Sequence, residues 1–387
     1  MSIIRLSCRH ADLHAALADG IWAPDAYDAS ARAGRLGRFE REDGAGSLVD
    51  ADARSTSIDR WLTGNADRYD QLGEEQPVAV MVHGFLFDPE KAPNKDPAKS
   101  DNPHSRVFHF KDTGESTEIR EHTTGWPRQL GFKEDDRGRS GLAVAFGWMS
   151  QPGFASSLLQ GGKNFYARAY ENGREAAWPL VCMLDSLRRK IKDRQIDLFC
   201  HSLGSVVVVR ALAIAAKHDL ALVKRIGRVV ILGGSEYSGE AQLMYGRVAK
   251  ACADLSDFDG PQVFNIVSRE NAVLDLLAEN FGPKSFFSNT QVIGHNGLQS
   301  AKGAPRWIDI QIDKGDVRDW GGRQETPYDL SGDQPGNVWD HWYYYTHRGN
   351  MAFYRDILRT RAATSLHALR NNHPSLPEGV DTSFFGN

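Results

Sequence analysis

The segment Asp197-Leu-Phe-Cys-His-Ser-Leu-Gly-Ser205 constrains the fold more than any other stretch of the chain. The apolar run Ile196–Cys200 has the length of a buried strand and stops abruptly. Ser202 follows between His201 and Leu203, with Gly204 two residues on. A helical segment, Gly204–His218, comes next. Its valines at 205–209 prefer strand locally, but a chain running between two parallel strands must cross back, usually as a helix. A serine in such a sharp strand-to-helix turn is held in a strained conformation with its hydroxyl outward. Small residues are needed beside it, because strand and helix come very close. A helix cap is the simpler role for a serine here, but a cap does not account for the flanking histidine and glycine. Ser202 is therefore a candidate nucleophile.

The remaining pattern supplies the frame. Short continuous apolar runs at Pro77–Val82 and Gly141–Phe146 read as strands buried on both faces, and Arg228–Leu232 and Gln262–Val267 read as strands. Trp307–Ile312 alternates apolar and polar, and Ile3–Leu6 is an early strand. Helices are expected over Glu171–Asp193, Gly239–Ala253 and Met351–Leu369. Strands separated by helices predict right-handed βαβ units and a largely parallel sheet.

Composition excludes several classes of function. Forty-six Lys and Arg against 50 Asp and Glu leave a net charge of −4. Neither a nucleic acid nor an anionic membrane surface is expected as a partner. No apolar run reaches the roughly 18–20 residues that span a bilayer, and residues 1–20 lack the apolar centre of a signal peptide. Four cysteines without a CxxC pair predict neither a disulfide framework nor structural zinc. A reduced, cytoplasmic protein is expected. His104, His109 and His122 fall in the polar stretch 88–140, read as a solvated loop in which only Trp126–Phe132 is able to pack, and match no metal spacing. No phosphate-cradling glycine motif is present, so no nucleotide, metal or other cofactor is expected. His14–Asp19 carries the H-x4-D spacing of some acyltransferases, but two specified residues in six arise readily by chance.

Val82-His-Gly-Phe-Leu86 ends another buried strand about 120 residues upstream of Ser202. A His-Gly turn there suits the second backbone N–H of an oxyanion hole, with Phe85 as donor and Leu203 as the first. His83 reads as a brace of that loop. In this chain order the two motifs resemble the α/β-hydrolase superfamily, specifically its serine esterase and lipase-like members. The resemblance covers roughly residues 77–370 and departs from the usual G-x-S-x-G pattern at Cys200, which stands where glycine is common. It implies an α/β-hydrolase fold, with a mostly parallel central sheet flanked by helices. Residues 1–76 would form an N-terminal extension packed on the main domain, 77–387. Residues 88–140 would form an insertion or long loop after the oxyanion strand.

The resemblance also implies a triad in the order nucleophile, acid, histidine. Glu270, after Gln262–Val267, is the chosen acid, with Asn271, Asp275 and Glu236 as rivals. His341 is the chosen base. His347 beside Arg348 is less suited, since a cationic neighbour opposes protonation, and His295 is third. Phe281, Phe286, Phe287 and Trp342–Tyr345 could line an acyl pocket, although clustered aromatics are commonly core. The implied activity is hydrolysis of small-molecule carboxylic esters through an acyl-enzyme on Ser202. An acyltransferase on the same residues and a non-catalytic hydrolase-fold binding protein are the alternatives.

Overall fold

The computed structural model describes residues 3–8, 72–111, 125–151, 165–253, 260–269, 291–298, 304–332 and 341–371, apart from single positions within them. It also describes the short strands 41–42, 48–49 and 384–385. The reading of His14–Asp19 lies outside these residues. So do Glu270, Asn271, Asp275, His122, Phe281, Phe286 and Phe287.

The strands are β1 (Ile3–Ser7), β2 (Arg41–Glu42), β3 (Leu48–Val49), β4 (Val78–Val82), β5 (Leu142–Gly147), β6 (Ile196–His201), β7 (Ile226–Leu232), β8 (Gln262–Val267), β9 (Trp307–Gln311) and β10 (Phe384–Phe385). β2 and β3 form a separate antiparallel ribbon. The others make one sheet in the order β1-β5-β4-β6-β7-β8-β9-β10, parallel at every junction. Parallel pairing forces each connection to cross a face of the sheet, which buries both faces. β4 through β7 are accordingly buried along their whole length.

Side-chain alternation divides the core between the two faces. On one, Val80, Val144, Leu198 and Ile231 pack against α1 (Phe165–Lys190), α2 (Gly204–His218) and α3 (Ser238–Ala253). On the other, Met81, Ala145, Phe199 and Val230 meet α4 (Gly315–Gly322) and α5 (Arg348–Arg359).

The C-terminal helix differs from its expected span. The apolar periodicity over 351–369 predicts one helix, whereas α5 stops at Arg359 and a second helix runs over Leu366–Asn371. Arg228, reaching out of β7, donates to the carbonyls of Ile357 and Arg361 and to the hydroxyl of Thr364. That guanidinium satisfies backbone groups the helix would otherwise satisfy itself.

The stretch 88–140 also departs from a solvated loop. Trp126 and Phe132 are core residues, as expected of that piece, but Val107 and Phe108 are core residues too, and His104 and His109 are buried. Ser7 of β1 hydrogen-bonds His104 at 2.7 Å, and Arg5 donates to the Phe108 carbonyl at 3.0 Å. Aromatic side chains and these two links draw the segment onto the sheet despite its polar composition.

From β4 the chain goes to β5 on one side, then crosses back to β6 on the other. The carboxyl ends of β4 and β6 therefore form the topological switch point, where open parallel sheets place their ligand crevices.

Candidate active site

Strain is concentrated at those two strand ends. Among the described residues, the non-glycine positions with positive φ are Ser202 at 53° and Leu86 at 71°. A left-handed conformation at a residue with a Cβ costs energy and persists only where its surroundings enforce it. At Ser202 they do so through the backbone. Its N–H donates to Leu232 O at 2.9 Å. Its carbonyl accepts from the Ser205 N–H and hydroxyl at 2.9 and 2.7 Å, and from the Ser235 N–H at 3.2 Å.

Two glycines allow the β4 exit to close on this turn. A Cβ on Gly204 would stand 2.6 Å from Val82 O and 2.7 Å from His83 O. A Cβ on Gly84 would stand 2.8 Å from Ser202 Cβ. Cys200, where a glycine is common, is fully buried in the core, and burial drives its thiol pKa upward.

The loop after β4 is braced by His83, as expected. Its Nε2 accepts the Trp148 N–H at 3.0 Å, and its Nδ1 lies 3.0 Å from Gly84 O. The ring stacks on Trp148 with centroids 5.6 Å apart. Burial lowers its pKa to about 3, so the ring is neutral with both nitrogens occupied. Phe85 is partly buried, edge-to-face with Phe165 and Tyr166 at 5.4 and 5.5 Å. Leu203 is fully buried where α2 begins. Phe85 and Leu203 thus flank Ser202 from the two strand ends.

The Ser202 hydroxyl pairs with the Ser235 hydroxyl at 3.1 Å. Ser235, 1% exposed, follows Gly233 and Gly234 at the exit of β7. Sequence reasoning passed over it, and the Gly-Gly pair at a strand end is the signal that could have found it. The exit loop is tied down again where Glu236 N–H donates to the Ser205 hydroxyl at 3.0 Å.

Glu236 itself is buried. Its Oε1 accepts from Tyr170 OH at 2.5 Å and from Tyr237 N–H at 2.8 Å. Burial outweighs these hydrogen bonds and raises its pKa to about 7.

His341 sits beside His201, with ring centroids 4.5 Å apart. His201 Nε2–H donates to the His341 carbonyl at 3.0 Å. Burial lowers the His341 pKa to about 3, which leaves the ring neutral, the form a general base requires. The structure thus brings His341 to the residue preceding Ser202, but does not hydrogen-bond its ring to the Ser202 hydroxyl. His347 instead caps α5, its ring accepting from the Asn350 N–H at 3.4 Å, with Nε2 3.5 Å from Asp329. His295 lies in the short helix Ile293–Asn296. No helix among the described residues is long and apolar enough to cross a membrane.

A family model described as "Alpha/beta hydrolase" matches residues 147–243. The match runs from the end of β5 through the Ser202 turn and β7 into α3. No curated protein and no solved structure matches the chain. With the parallel sheet and its crossover at β4 and β6, the match over this stretch supports an α/β-hydrolase fold for the chain.

Proposed function

We propose that the protein is a serine hydrolase that cleaves carboxylic esters through an acyl-enzyme on Ser202. The observation that carries this reading is the strained backbone of Ser202, φ 53°, at the junction of a buried strand and a helix. A capping serine needs no left-handed backbone, since caps adopt extended conformations. A nucleophile gains from one, because it lifts the hydroxyl clear of strand and helix.

In the proposed reaction Ser202 Oγ attacks the ester carbonyl, and His341 takes its proton. The imidazole leaves its place against His201 and replaces Ser235 at Ser202 Oγ. The backbone N–H groups of Phe85 and Leu203 stabilise the oxyanion. His341 then protonates the leaving alcohol, and water releases the acyl group by the reverse exchange. Glu270 orients the imidazole and balances its charge. The four buried thiols suit a reducing, cytoplasmic setting.

The test is covalent labelling by a fluorophosphonate, with the adduct mapped by mass spectrometry. Wild type should label at Ser202 and hydrolyse short p-nitrophenyl esters, and Ser202→Ala should do neither while melting at the same temperature. Unchanged turnover in Ser202→Ala would overturn the assignment. Addition of an acceptor alcohol separates hydrolysis from acyl transfer by its products.

A further inference from the structure

Tyr166 stands in the first turn of α1, 4% exposed, with its ring edge-to-face against Phe85. Ser235 is next to its phenol, and Tyr237 and Glu236 are near enough for their charges to act on it. The hydroxyl lies close enough to Ser235 for that group to act on its pKa, but among the described residues it makes no hydrogen bond of full geometry. Tyr170, one helical turn further on, is fully used by its bond to Glu236. Two phenols on one helix face thus point toward the same strand end, one satisfied and one not.

A buried O–H without an acceptor forfeits the hydrogen bond it makes in water, and folded proteins keep few such groups. Tyr354 is another among the described residues, but it lies fully buried in the core beside Phe199 and Phe353. Tyr166 differs by its location. On one side is Phe85, whose N–H the proposed mechanism directs at the oxyanion. On the other is Ser235, whose hydroxyl lies 3.1 Å from Ser202 Oγ.

We propose that the Tyr166 hydroxyl is a substrate-binding donor, which gives its hydrogen bond to the ester oxygen that becomes negative when Ser202 attacks. This rests on the reading of Ser202 as the nucleophile. The phenol transfers no proton. Burial raises its pKa further above that of a free phenol, so it stays a donor throughout the working pH range. The acceptor missing in the structure arrives with the substrate, and the bond strengthens as charge develops.

Tyr166→Phe in the full chain removes the oxygen and keeps the ring against Phe85. With p-nitrophenyl butyrate, kcat should fall about a hundredfold, in line with loss of one oxyanion donor, while KM stays within about twofold. Phenylboronic acid, a mimic of the tetrahedral state, should bind more weakly by a similar factor. The melting temperature should hold or rise, because an unsatisfied hydroxyl has gone. Tyr354→Phe is the control, equally stable or more so, with kcat unchanged. An unchanged kcat and boronate affinity in Tyr166→Phe would overturn the proposal. So would a lower melting temperature with kcat and boronate affinity recovered on cooling, which would mark the hydroxyl as structural. If wild type neither labels at Ser202 nor turns over the ester, the nucleophile reading itself has failed.

Discussion

At Glu236 a single carboxyl has two possible uses, and its surroundings argue for one of them. Its Oε1 already accepts from Tyr170 and Tyr237, so it is spent on tying α1 to the exit loop of β7. Glu236→Gln should therefore leave both stability and catalysis near wild type, because one carbonyl oxygen can keep both bonds. Glu270→Gln should lower kcat at least about a hundredfold if that carboxylate orients the imidazole, as loss of a triad partner does. Steady-state kinetics on folded variants decide between them: a large loss in Glu236→Gln with Glu270→Gln near wild type moves the acid to the β7 exit. His341→Ala should remove several orders of magnitude from kcat. His347→Ala should cost only about 1 kcal/mol of stability, through its lost helix cap, which chemical denaturation would show. The reverse pattern would identify His347 as the base.

At the scale of the element, the site depends on two connections closing with almost no space between them. Gly84→Ala would drive a methyl group into Ser202, and Gly204→Ala would drive one into the carbonyls of Val82 and His83. Backbone cannot yield as a flexible side chain can, so each should destabilise by about 1–3 kcal/mol or more. Gly84→Ala should in addition lower the rate of phosphonate labelling at temperatures where it remains folded. Labelling at the wild-type rate would mean the two loops are less tightly joined. This level also shows what sequence can reveal. The Ser202 turn was legible because its determinants are local: an apolar run, a serine and small neighbours within nine residues. The Ser235 contact depends on a backbone path that brings together residues 33 apart. The end of α5 depends on Arg228, 129 residues before the carbonyl it takes. No local periodicity encodes a partner at such a distance. The packing of Phe108 and His104 was missed for the same reason, since their polar neighbours outweighed them in any short window.

At the scale of the whole molecule, five buried histidines among the described residues set the response to acid. Burial lowers His83 and His341 to about 3 and His109 to about 4, and holds His104 and His201 well below the usual value. The unfolded chain takes up these protons near pH 6.5, so stability is complete above that value and is lost as pH falls below it. Glu236 and Asp309, raised to about 7 and about 6, work in the opposite sense, as do Asp185 and Asp197, which burial also raises. They favour the fold at low pH, and that contribution shrinks as pH rises from the unfolded carboxyl range to their raised values. The histidines are more numerous and move further, so they dominate. The melting temperature should be flat from about pH 8 to 7 and fall steeply between 6.5 and 4. A melting temperature that rises on acidification would show that the carboxyls dominate instead.

The order of strands has a consequence in time as well as in space. β4 and β6 are neighbours in the sheet, yet about 110 residues separate them in the chain, and β5 must lie down on the far side of β4. Closing so long a loop is entropically slow, and distant strand pairings delay folding. Neither the elbow nor the loop facing it holds its strained backbone alone, since Ser202 and Leu86 keep a positive φ only where their surroundings enforce it. During refolding from denaturant, far-UV circular dichroism should therefore recover before phosphonate reactivity does. Reactivity should return only in the slowest phase, so that a newly made chain is already largely compact while its serine is still inert.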